Sequence, residues 1–198
     1  MAISSTFDRP TATRDFTTTL GFAGILGSPM LAFGKMAADA GQIQLSDMLL
    51  VLFLLGWTGS VHAMRRTRAF GSDPVWIGWS NIQLGLLVAA LLWQISQALQ
   101  IGNTATLPSF RPGDALWPIC LGGMTFVGLG ALAGSWQGWR RYAPLACGMS
   151  FPLTLGLPDL LGPSWSIAFG VLAAYAWSGL GLAVVLEARR LSKEPNAG

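Results

Sequence analysis

SDMLLVLFLLGWTGSVHAMRRTR, residues 46–68, is the stretch that decides the fold. Met48 to Leu55 are all apolar, one carboxylate (Asp47) precedes them, and the run closes on Arg65, Arg66 and Arg68. A helix from about Leu45 to Met64 is long enough to cross a hydrocarbon core of about 30 Å at about 1.5 Å per residue. The arginines then lie in the headgroup layer.

The same pattern recurs on either side of this stretch. Apolar segments over 16–36, 45–64, 75–97, 115–139, 142–161 and 164–186 predict an all-α fold, a six-helix transmembrane bundle forming a single domain over 1–198. Of the twelve Lys and Arg residues, all but Lys35 and Arg111 fall on one side of this ladder. Arg9 and Arg14 precede the first span, Arg65, Arg66 and Arg68 follow the second, Arg140 and Arg141 the fourth, and Arg189, Arg190 and Lys193 the sixth. Short cytoplasmic loops collect positive charge during insertion, so both termini are expected in the cytoplasm and the chain in the cytoplasmic membrane.

The composition fits that solvent. Of 198 residues 52% are hydrophobic and only 11% charged, against about 25% charged in soluble domains. The net charge of +3 sits in pairs and triplets at span ends, without the interleaved aromatics of a nucleic-acid surface, so anionic lipid headgroups and no nucleic acid are the expected partners. Ala38-Asp39-Ala40 offers small residues after the first span as a signal cleavage site would, but the span is long for a signal core and Asp8 and Asp15 precede it. It is read as a retained helix. Trp76, Trp79, Trp136 and Trp139 mark one membrane boundary and Trp93, Trp117 and Trp165 the other, whereas Trp57 and Trp177 lie deeper and call for partners to their indole N–H groups.

Candidate binding residues come from groups that hydrocarbon tolerates poorly. Pro29 and Pro152 fall mid-span, where proline frees the carbonyls of Ile25 and Gly148, with Ser28, Ser150 and Thr154 near enough to answer them. Asn81 and Gln83 in the third span are amides that should face the bundle interior. If the first, third and fifth spans converge, Pro29, Asn81, Gln83, Ser150 and Thr154 surround a polar pocket fit for an uncharged or amphipathic solute. Gly130, Gly134 and Gly138, four residues apart, form a small-residue face for close helix packing, to self or to other membrane subunits.

No cofactor or metal site is expected. His62 is the single histidine, the two cysteines (Cys120 and Cys147) are expected at different depths, no Ser/His/Asp set shares a depth, and no phosphate-binding glycine motif is present. Asp159 is the carboxylate best placed to meet Lys35 across the outer surface. The three readings are a non-catalytic packing or accessory component, a small transporter or channel, and a membrane enzyme that lacks a visible catalytic set.

Overall fold

The computed structural model describes residues 9–99, 115–150 and 164–193, all of them helix, turn or connecting loop. In chain order the helices are α1 (Arg9–Gly27), α2 (Pro29–Asp39), α3 (Ile43–Arg66), α4 (Pro74–Ala98), α5 (Leu116–Ala133), α6 (described over 143–150) and α7 (Ser164–Lys193). Five stretches are long and apolar enough to cross a membrane: Asp15–Asp39, Ile43–Arg66, Pro74–Ala98, Leu116–Ala133 and Gly170–Lys193. Most of the expected span over 142–161 lies outside the described residues.

Local chemistry sets the helix ends. Asp73 caps α4 by accepting from the Val75 N–H at 2.8 Å, and Pro74 occupies the first turn, where its missing donor costs nothing. Arg65 and Arg66 close α3, where positive charge meets the carbonyl end of the helix dipole. The Thr67 hydroxyl folds back to the Ala63 carbonyl at 2.9 Å. α1 and α2 make one span broken at Ser28, with Pro29 opening α2.

The spans form a ring. α1 packs on α3 and α7, α2 on the same two, α3 on α4, and α4 on α5. α6 closes the circle, with Leu145 against Gly128 of α5 and the Cys147 thiol donating to the Ala176 carbonyl of α7 at 3.3 Å. Phe53, Trp57 and Trp177 fill the middle, where the two indoles meet edge-to-face at 4.4 Å and Phe53 stacks on Trp117 at 6.1 Å. The indole N–H groups of Trp57 and Trp177 find no hydrogen-bond partner among the described residues, contrary to expectation. Ring burial and the edge-to-face contact hold the pair, and these favour aromatics beyond their polar handle.

Close backbone approach occurs at glycines that the sequence did not single out. A Cβ on Gly56 of α3 would stand 2.6 Å from the Ala23 carbonyl oxygen of α1, and one on Gly181 of α7 would stand 2.7 Å from that of Gly21. α1 is therefore wedged between α3 and α7, with backbone meeting backbone at these two glycines.

The expected glycine face needs correction. α5 ends at Ala133, Gly134 takes extended backbone, and Gly138 has φ +62° in the 3-10 turn Gly138–Tyr142, so Gly130, Gly134 and Gly138 do not share a helix. Gly130 faces the Trp76 ring, Gly134 presses its Cα onto the Ala69 carbonyl in the loop after α3, and nothing lies near Gly138. Ser135 hydrogen-bonds the Arg68 carbonyl and Trp136 is buried, so tertiary docking of two loops ends the helix before the apolar run does.

Candidate functional site

Among the described residues, Pro29 and the amides of Asn81 and Gln83 are not brought to one pocket. α3 is the shared neighbour of α2, which carries Pro29, and of α4, which carries Asn81 and Gln83, so it stands between them. Asn81 and Gln83 are two residues apart, hence about 200° around the helix, and only one can face inward. Gln83 is fully buried and donates to the Cys120 carbonyl of α5 at 2.8 Å, while its amide oxygen fits against Gly123, where a Cβ would collide with it. Asn81 is exposed and points away from the described bundle, which corrects the expectation that both amides face inward.

The hydroxyls answer neighbouring carbonyls on their own helices. Ser28 donates to Gly24 at 2.6 Å, not to the Ile25 carbonyl that Pro29 frees, and Ser150 donates to Cys147 at 2.6 Å. Thr154, the fifth residue of the expected pocket, lies outside the described residues, as do Pro152 and Asp159. Lys35 pairs with Asp39 one turn on, at 3.4 Å.

Most of the polar contacts between helices lie along α4. Trp79 donates to the Gly123 carbonyl at 3.2 Å, next to the Gln83 contact. Towards the other end Gln94 donates to Asp47 of α3 at 2.8 Å and accepts from the Trp117 indole of α5 at 3.3 Å, so one amide joins three helices. These bonds fix helix register in a medium where unpaired amides are costly.

The charged site lies at the basic end of the bundle and turns on a residue the sequence reading passed over. Glu187 of α7 is 0% exposed and stands 3.1 Å from Arg140 Nε and 2.9 Å from Arg190 Nε, ion-paired without aligned hydrogen bonds. Arg140 comes from the 3-10 turn after α5, so the pair staples that turn to the end of α7. The available signal was the spacing Glu187–Arg190, one turn apart on a helix face, but among three cations it read as part of a headgroup-facing cluster.

Beside this pair lies a groove of about 780 Å³ walled by Trp139, Arg140, Leu186, Arg189, Arg190 and Lys193, among others. A second groove of about 550 Å³ on the same basic side is lined by Arg65 and Arg68 with Phe70, Ile77 and Ser135. Among the described residues no three His, Cys, Asp or Glu side chains come together. The two cysteines are buried free thiols, and His62 packs edge-on to the Phe16 ring. The arrangement can hold helices together and can attract anions; the described side chains assemble no nucleophile with a base.

The chain is a helical protein with several spans apolar enough to integrate into a membrane. Comparison with protein-family models, curated proteins and solved structures gives no match.

Proposed function

We propose that the chain is a non-catalytic, six-span component of the cytoplasmic membrane, one transmembrane domain with both ends on the basic side, which works by packing against another membrane segment. The observation that carries this reading is Asn81. It sits seven residues into α4, about 10 Å below the helix start, with no hydrogen-bond partner among the described residues, on an outward face shared with Ile82, Gly85, Val88 and Leu92. Nothing lies within 4 Å of a Cβ placed on Gly78 or Gly85 of that helix, so another backbone has room to approach.

An amide left unpaired in hydrocarbon is costly, and small residues around it allow an interhelical hydrogen bond. The amide both donates and accepts, so a second copy or a different subunit could satisfy it. The interior residues that would favour a solute pathway are instead spent on helix contacts: Gln83 on α5, Ser28 and Ser150 on their own turns.

The test is native mass spectrometry of the chain released from nanodiscs, with and without Asn81→Leu. Assembly with itself or with a stoichiometric partner should weaken about threefold to thirtyfold in the variant, the range measured for interhelical hydrogen bonds. A monomeric wild type, or a variant that assembles equally well, would refute the packing role of this face.

A further inference from the structure

The groove beside Glu187 has features that a general headgroup contact does not require. Its walls come from two separate elements, the 3-10 turn after α5 and the last turns of α7, held in register by a buried carboxylate. Among the described residues four cations (Arg140, Arg189, Arg190 and Lys193) line the groove and one carboxylate, Glu187, pairs with two of them, an excess of three positive charges (4 − 1). Arg140 and Arg190 each bring one nitrogen to Glu187 and stay 21% and 28% exposed, so further guanidinium donors remain for a ligand. Among the described residues Arg189 and Lys193 pair with no carboxylate.

The same groove has an apolar side. Trp139, 51% exposed, and Leu186 share its wall with the cations. A soluble phosphate has no use for an indole and an isobutyl group at its side, whereas a phospholipid presents a phosphate next to glycerol and acyl carbons. Planar guanidiniums suit phosphate oxygens geometrically, and basic pockets at a membrane surface select anionic headgroups.

We propose that this groove is a binding site for one anionic phospholipid, its phosphate held by Arg140, Arg189, Arg190 and Lys193 and its glycerol region resting on Trp139 and Leu186. Glu187 is a positioning residue: it fixes two of the four cations and does not touch the lipid. The site rests on the reading of the chain as membrane-embedded with this end at a leaflet surface, but it is independent of the face around Asn81.

The experiment uses the full chain in detergent. Thermal stabilisation is titrated with phosphatidylglycerol, with phosphatidylcholine, and with glycerol phosphate or inorganic phosphate, for the wild type and for an Arg189→Gln/Lys193→Gln double variant. Retention in carbonate-washed membranes is checked for each protein, so loss of membrane integration is seen separately from loss of lipid binding. Phosphatidylglycerol should stabilise the wild type and phosphatidylcholine should not. The double variant should need about twenty-five times more phosphatidylglycerol, about fivefold for each cation removed. Equal stabilisation by glycerol phosphate would make the ligand a soluble phosphate and overturn the lipid assignment. An undiminished response in the double variant, or an equal response to phosphatidylcholine, would overturn the site.

Discussion

Gly56→Ala puts a single methyl group into a helix seam closed by backbone contact. Its Cβ would lie 2.6 Å from the Ala23 carbonyl oxygen, 3.2 Å from the carbonyl carbon and 3.3 Å from the Gly24 Cα, all of them backbone atoms that cannot rotate away. Ordinary contact begins near 3.4 Å, so α1 and α3 must part by 0.8 Å (3.4 − 2.6). A radial gap of about 0.5–1 Å forfeits a quarter to a half of each dispersion contact along the seam, and overpacking of this kind costs about 1–3 kcal/mol. Alanine also raises helix propensity by up to about 1 kcal/mol, which would mask part of the loss. Gly122→Ala supplies the reference, because nothing lies within 4 Å of a Cβ there and the propensity gain is the same. The thermal midpoint of Gly56→Ala in detergent should therefore fall below that of Gly122→Ala by about 2–12 °C, at about 2–4 °C per kcal/mol for a chain of this size. A midpoint for Gly56→Ala equal to or above that of Gly122→Ala would refute the argument that this seam is closed by backbone contact.

Three further outcomes follow from the same contacts. A cysteine at Gln83, in a background lacking Cys120 and Cys147, should resist a water-soluble maleimide until the protein is denatured, because Gln83 is fully buried against α5; rapid labelling of the folded protein would restore a hydrated midplane pocket. Glu187→Gln keeps the volume but leaves Arg140 and Arg190 without their counter-ion, which should cost about 1–3 kcal/mol after allowance for their partial exposure, read as a lower thermal midpoint; an unchanged midpoint would mean the pair does not hold the turn to α7. Reporter fusions at Phe70 and at the C-terminus should read cytoplasmic and one near Thr106 external, and a cytoplasmic signal at Thr106 would remove the six-span topology.

Chain chemistry alone located the spans over α1 to α4, because crossing a hydrocarbon core demands long uninterrupted apolar runs with charge at their ends, and these runs end within a few residues of where the structure ends them. Caps such as Asp73-Pro74 and closing cations such as Arg65-Arg66 are likewise local and legible. Which side of each helix faces inward was not. In water an amphipathic stripe marks the buried face, but lipid is as apolar as a protein core, so α4 and α5 are hydrophobic on all sides and their periodicity is silent. That is why Asn81 and Gln83 read alike in sequence, although one meets Cys120 and the other faces outward. The glycine spacing on α5 failed for a related reason: four-residue spacing assumes a continuous helix, and the docking of Gly134 on Ala69 ends it first. Glu187 depended on tertiary structure as well. Only when the turn after α5 brings Arg140 against α7 does a carboxylate among surface cations become the buried counter-ion beside the basic groove.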